Sequence, residues 1–514
     1  MRIKNSIKNI AFGIGSQLTS TIVAFVTRTI FIYTLGIEYL GIEGLFSNVL
    51  SMLSLANLGI ESAIIFSLYK PLKENNKSEI KGYMKLYERV YRIIGILVFI
   101  IGLLLIPYLP KIINMDVNIK INIIHIYIMF LLNSSVSYFY VYKQSILIAN
   151  QQTYIISKIH TYFILISNVL QIIILITFRA YIPVLGMQLI CRVLENIIVS
   201  RRANKEFPFL IDDNIAEELS REEKSKLYKN VYSMFLYKIS GTVINSTDNI
   251  VISYFLGVTY VGIYSNYLLI ISTIRTFTSY IFSSLTASVG NLVVSSEDEK
   301  KEFIFNQILF ISFWIYGFCS IAFYILFNDF ICIWLQNDRY LLDTFTIFII
   351  IINFYTTGMQ GAATMYRDTT GLFSIGKYRP IIAAIINITI SILLAPRLGI
   401  SGVLLGTIIS RLSVYFWFDP YVVHKYIFNK SSKVYFLQYT KYTSIIILAG
   451  FITYLTSNLT NVLPIHISFL LKLVICSIVP NIIFILIYRN NEYFNYIKNI
   501  VLLIFRKNKR EVIK

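Results

Sequence analysis

Tyr33-Thr-Leu-Gly-Ile-Glu-Tyr-Leu-Gly-Ile42 returns 221 residues later as Tyr254-Phe-Leu-Gly-Val-Thr-Tyr-Val-Gly-Ile263. The same offset aligns Lys8-Asn9 with Lys229-Asn230 and Thr21 with Thr242, giving nine identities across 35 positions. That exceeds what this biased composition gives by chance. Each copy closes an apolar run long enough to cross a bilayer as a helix. The second copy is six runs further along the chain, an even number of crossings, so both halves enter the membrane in the same direction. The repeat therefore predicts two similar lobes related by an axis along the membrane normal. Transporters of that build hold their site between the lobes near the midplane and work by rocking. A duplicated channel would carry the same repeat.

The composition agrees with a membrane protein. Of 514 residues, 56% are hydrophobic and only 14% charged, against about 25% charged in soluble domains. The reading is an all-α, polytopic chain of about 14 transmembrane helices. They fall at 10–34, 42–69, 93–110, 120–142, 155–178, 181–200, 230–256, 262–290, 304–327, 341–366, 380–396, 400–418, 442–458 and 463–488. Two pseudo-symmetric six-helix lobes (1–200 and 230–418) are joined by a cytoplasmic linker, 201–229. Two further helices within 442–488 and a basic tail, 489–514, complete the chain. Basic then apolar, the amino terminus is read as a retained first span rather than a cleaved signal, since no A-x-A site follows.

With both termini cytoplasmic, 35 Lys and Arg fall inside, five outside and six within spans. This is the asymmetry the positive-inside rule requires. The net charge of +19 is thus loop charge rather than a nucleic-acid footprint. External connections such as 107–118 and 328–340 are too short for an extracellular catalytic domain. In the linker, Ser220-Arg-Glu-Glu223 has a capping-box pattern for a short helix. Arg506-Lys-Asn-Lys-Arg510 reads as a stop signal. The cysteines (191, 319, 332, 476) and histidines (125, 160, 424, 466) show no metal-ligand spacing. No Walker A loop, nucleophile elbow or zinc motif occurs, so neither cofactor, metal nor covalent catalysis is expected.

Arg28, Lys238 and Arg275 lie inside apolar spans with no acid adjacent on their own helices. A cation at mid-helix costs ~2.5–3.5 kcal/mol on insertion scales, so such residues face a watery cavity or a partner. All three are candidate contacts for an anionic substrate, Arg275 foremost. The repeat sets Thr27-Arg28 against Asp248-Asn249, and Arg28 and Asp248 are expected to pair as an outer gate in one state. The competing reading lets each snorkel to the interface. Glu61 is a candidate for ion coupling or for pairing with one of the cations. Arg192 and Glu195, three apart on one helix, are expected to satisfy each other. Arg411 and Lys472 receive no role. Gly13-Ile-Gly-Ser16 and the Ser47, Ser51, Ser54 series read as close helix packing, with a hydroxyl-lined sugar cavity second. Trp314, Trp334 and Trp417 are expected at membrane interfaces.

Leu53-Ser-Leu-Ala-Asn-Leu-Gly-Ile-Glu-Ser-Ala63, then Tyr69-Lys-Pro-Leu72, the Leu35-Gly36 to Gly41 turn, and Tyr366-Arg-Asp-Thr-Thr-Gly-Leu-Phe-Ser-Ile-Gly-Lys-Tyr-Arg-Pro380 stand in order along the chain. In these stretches, and over essentially its whole length, the chain resembles the Wzx-type flippases. These form the polysaccharide-transport branch of the multidrug/oligosaccharidyl-lipid/polysaccharide exporter superfamily. The resemblance implies a flippase of the bacterial cytoplasmic membrane moving undecaprenyl-diphosphate-linked oligosaccharide to the outer leaflet for surface polysaccharide synthesis. Its implied partners are that substrate, membrane lipids, a polysaccharide polymerase and glycosyltransferases. Related flippases carry cavity arginines on the first and eighth helices, where Arg28 and Arg275 stand here. The sister lipid II flippases line a polyprenyl groove with their last two helices. A cation-coupled drug exporter of the same superfamily is the runner-up, and a membrane glycosyltransferase or polymerase the enzyme alternative.

Overall fold

The computed structural model describes residues 2–54, 60–113, 122–212, 219–222, 225, 246–295, 298–370, 372, 375–376 and 378–499, and the side chains of these except at 2–14, 60, 62–63, 283–284, 287–288, 290–295 and 298. Lys238, part of the linker (213–218, 223–224 and 226–229, which includes the repeat position Lys229), the repeat positions Asn230 and Thr242, and the basic tail from residue 500 onward lie outside them. The described residues are almost wholly helical and contain no strand. Ten helical stretches among them are long and apolar enough to cross a membrane, and one, Arg379–Tyr426, covers two predicted spans. The chain is an all-α multi-pass membrane protein. It divides into two compact units, the first Met1–Ser265 with Ser391–Val403, the second Asn266–Ile390 with Leu404–Lys514.

In the first unit, α1 (Arg2–Leu35) stops where Gly36 turns to φ 101, its N–H bonded to the Ile32 carbonyl at 3.0 Å. Gly257 ends the helix of residues 246–256 in the same way, with φ 95 and its N–H on the Ser253 carbonyl at 3.0 Å. Only glycine adopts this backbone without strain, and it is a common helix stop. The Leu-Gly of the repeat is therefore one local device used twice. Just beyond it, α2 (Ile37–Leu53) crosses the start of the helix Val258–Ser295 at Gly41 and Gly262. A Cβ on Gly41 would overlap the Val258 carbonyl, and one on Gly262 the Ile37 carbonyl. Either Cβ would also lie 3.2 Å from the other glycine's nitrogen. The backbones touch, which only glycine permits. Gly15, by contrast, meets nothing within 4 Å, so the close packing expected in Gly13-Ile-Gly-Ser16 is not found at Gly15, while Gly13 and Ile14 lie outside the described side chains.

The predicted second span is two helices, α2 and α3 (Ile60–Glu74), with residues 55–59 outside the description. Next come α4 (Lys77–Leu105), α5 (Ile123–Val141), α6 (Thr153–Phe178) and α7 (Tyr181–Glu206). α6 lies along α1, and α5 lies between α4 and α7. The core gathers Tyr87 and Tyr91, stacked at 5.7 Å, with Tyr138, Ile146, Leu147 and Val199. Polar α1 side chains are tied to their neighbours: Thr27 donates to Asn168 of α6 at 2.7 Å.

The helix Val258–Ser295, α8, runs on into the second unit. There α9 (Asp298–Leu335) packs against α10 (Thr344–Met359), α14 (Lys433–Asn458) and α15 (Ile465–Tyr488). Phe313 stacks on Tyr442 at 4.4 Å and meets Phe484 at 4.9 Å. Trp314 donates its indole N–H to Asn481 at 2.8 Å. It ties α9 to α15. Lys472 of α15 pairs with Asp329 of α9 at 2.7 Å, giving that lysine the partner its own helix lacks. After α11 (Gly361–Thr369), α12 (Arg379–Arg411) folds back on itself at Gly399, whose φ of 60 interrupts the helix. Asn387 bonds Thr407 and Ser391 bonds the Val403 carbonyl, both at 2.9 Å. The break falls where the sequence divides spans 11 and 12. A short helix, α13 (Phe418–Tyr426), follows, and its Asp419 accepts from both Arg367 and Arg379.

Candidate functional site

Arg28 sits late in α1, half-buried. Its guanidinium donates to the Ser265 carbonyl at 2.7 Å, and the Glu43 carboxylate of α2 is near enough to interact with it electrostatically. A cation held among membrane-embedded helices needs such partners, because leaving it unpaired in low dielectric is costly. Sequence reasoning missed Glu43. Sitting one residue inside the predicted second span, it read as an ordinary span-end residue, and nothing in its own helix points at Arg28. The partners of Arg28 among the described residues do not include Asp248. That residue is buried in the first turn of 246–256 beside Thr247 and Asn249.

Glu43 also lines a cavity of about 560 Å³ inside the first unit. α2 contributes Ser47, Leu50, Ser51 and, just past its end, Ser54; α5 contributes Phe130, Asn133, Ser134 and Ser137; α7 contributes Gln188 and Arg192. On α2 the polar positions recur at helical spacing, so one face is turned to the cavity. Ser47 and Ser51 are exposed on it. The serine series thus lines a chamber, the reading placed second on sequence grounds. Arg192 and Glu195 do approach each other, but at 3.9 Å, while the other Glu195 oxygen is held by His160 of α6 at 2.7 Å. Glu195 is chiefly engaged with His160, and Arg192 is left exposed on the chamber wall. Own-helix spacing found the Arg192–Glu195 contact and could not foresee the histidine from another helix.

Glu61 opens α3 near the stacked Tyr87 and Tyr91 of α4. No cation makes a salt bridge to it among the described residues. Arg275 belongs to the second unit. It is half-buried on α8, with its guanidinium 5.9 Å from the centre of the Phe354 ring of α10. A cation over a ring face is stabilised without an acid. One turn on, Thr278 bonds both the Arg275 carbonyl, at 2.9 Å, and the Tyr316 hydroxyl, at 3.0 Å. The structure thus sets Arg28 near Glu43 and the unit-1 chamber, and seats Arg275 on an aromatic wall.

No family model matches the chain, and no curated relative matches it. Solved structures do. The chain is similar to the lipid II flippase MurJ in an inward closed conformation, with a TM-score of 0.66 and 15% identity over 94% of this chain and 99% of that one. It is similar to an inward-facing multidrug resistance MATE family transporter of the MOP superfamily, with a TM-score of 0.62 and 15% identity over 77% of this chain and 93% of that one. The MATE multidrug transporter DinF-BH gives a TM-score of 0.56 and 17% identity, over 82% of this chain and 97% of that one. The chain has the fold shared by these MOP-superfamily transporters.

Proposed function

We propose that this protein is a flippase that moves undecaprenyl-diphosphate-linked oligosaccharide from the inner to the outer leaflet of a bacterial cytoplasmic membrane. Both termini are cytoplasmic, the lobes are 1–200 and 230–418, and transport is by alternating access. The observation that carries the reading is the placement of Arg28: a guanidinium among spanning helices, held on the Ser265 carbonyl at 2.7 Å and near the Glu43 carboxylate that lines the cavity. A diphosphate oxygen can replace that carboxylate, because phosphates accept charge-assisted, bidentate bonds from guanidinium. Arg275 and Lys238 are assigned to the same anionic headgroup, and Asp248 and Glu61 to gating or ion coupling. Similarity along nearly the whole chain to a flippase of a lipid-linked substrate supports the assignment. The membrane potential favours the step, since moving two negative charges outward releases about 4–5 kcal/mol per 100 mV.

The test is transport of a fluorescent lipid-linked oligosaccharide in proteoliposomes, scored by its accessibility to a membrane-impermeant quencher. Arg275→Ala is expected to abolish movement at normal protein levels. Wild-type movement in that variant removes Arg275 from the site. A drug-exporter reading draws on Glu43, a carboxylate able to meet a lipophilic cation. It expects export of a cationic dye in the same vesicles, with Glu43→Gln inactive.

A further inference from the structure

We propose that the chamber walled by α2, α5 and α7 is the subsite that reads the sugar part of the headgroup, a hydroxyl-rich moiety whose anionic group meets Arg192. This rests on the flippase reading above and extends it. Of the eleven residues lining the chamber, only Leu50 and Phe130 are apolar. Sites for drug-like ligands are lined predominantly by hydrophobic and aromatic side chains, so this wall suits a different guest. Inside a membrane-embedded bundle, hydroxyls and amides are costly unless something hydrogen-bonds them. The side chains of Ser47, Ser51, Asn133 and Ser134 carry no hydrogen bond to protein among the described residues. Gln188 gives its amide N–H to Gln171 at 3.3 Å, which leaves its carbonyl oxygen as an acceptor.

Donors and acceptors on three helices match a ring of alternating hydroxyls, and Phe130 offers a face for the C–H side of a pyranose. Arg192 supplies the charge: with Glu195 drawn to His160, its guanidinium retains donors for a carboxylate or phosphate oxygen. Glu43 belongs to this lining and lies within electrostatic reach of Arg28. The chamber is therefore next to the proposed diphosphate grip, as the sugar is next to the diphosphate in the cargo. Its volume, about 560 Å³, falls within the roughly 300–1,000 Å³ of ligand sites.

The experiment uses the full-length protein in proteoliposomes and three labelled lipids. These are undecaprenyl diphosphate alone, the same lipid with a neutral disaccharide, and the same lipid with a disaccharide ending in a uronic acid. In the variant Ser51→Val/Asn133→Leu/Gln188→Leu, sugar-bearing lipids are expected to slow about tenfold relative to the bare lipid, the worth of two or three neutral hydrogen bonds. Equal slowing of all three lipids overturns the chamber as a sugar subsite. Asn133→Leu alone, selected for a wild-type elution profile, carries the same test if the triple variant does not assemble. Arg192→Gln locates the anion. A loss confined to the uronate lipid places it on the sugar, whereas equal loss on all three lipids places it on the diphosphate and overturns its assignment to the sugar. Unchanged movement of all three overturns the role of Arg192. Wild-type protein that moves none of the lipids sinks the flippase reading itself, a result distinct from unselective movement, which sinks only the subsite.

Discussion

Arg28 of α1 donates to the Ser265 carbonyl and lies within electrostatic reach of Glu43 on α2. Each residue therefore supports the other, and the single losses should not add. Arg28→Ala and Glu43→Gln are each expected to cost about 1–3 kcal/mol, less than the 3–5 of a fully buried ion pair because both residues keep some exposure. The double variant should recover about 1–2 kcal/mol of the sum. Thermal unfolding in detergent completes the cycle, and strictly additive midpoints would show that the two do not interact.

Asp419 serves two arginines. Arg367 bonds it at 2.6 Å, and Arg379 bonds it while lying 4.0 Å over the Phe418 ring. Asp419→Ala removes the shared counter-ion of two buried cations, leaving Arg367 only the adjacent Asp368 at 3.1 Å, and is expected to cost about 3–5 kcal/mol. Arg367→Met should cost distinctly less, because Arg379 still neutralises the carboxylate. A reversed ranking of unfolding midpoints would rule out this arrangement.

Lys472 and Asp329 tie α15 to α9. Lys472→Met should lower the unfolding midpoint by the equivalent of about 1–3 kcal/mol, since it leaves Asp329 without its counter-ion. The exchange Lys472→Asp with Asp329→Lys should restore most of that loss. An exchange no more stable than either single charge reversal would show that the pair does not form.

Glycines give a sharp contrast. Gly41→Ala and Gly262→Ala force a methyl into backbone and are expected to destabilise by about 1–3 kcal/mol each. Gly15→Ala meets nothing within 4 Å and should be neutral or gain up to about 1 kcal/mol from helix propensity. Equal losses at positions 15 and 41 would contradict the contact between the two copies.

The helical, multi-pass architecture was legible because apolar length and the Leu-Gly stop are local signals. Gly36 and Gly257 do in the structure what their shared sequence context implies. Even the break at Gly399 was visible, as the gap between two apolar runs. The site was less legible because its pairings run between helices. Arg28 could be singled out as a charge in hydrocarbon, but Glu43 carries no mark on its own helix. The spacing of Ser47, Ser51 and Ser54 showed that they share a face. Whether that face meets another helix or a cavity depends on how α5 and α7 stand off from α2, which spacing does not contain. Lys472 illustrates the same limit, its counter-ion lying 143 residues away.

At the crossing of the two copies, Gly41 faces the Val258 carbonyl and Gly262 the Ile37 carbonyl, positions that the 221-residue offset makes equivalent. Such a contact is isologous, the self-complementary kind that holds two-fold homodimers of separate chains together. A half-length ancestor bearing this patch would pair with its twin through the same seam.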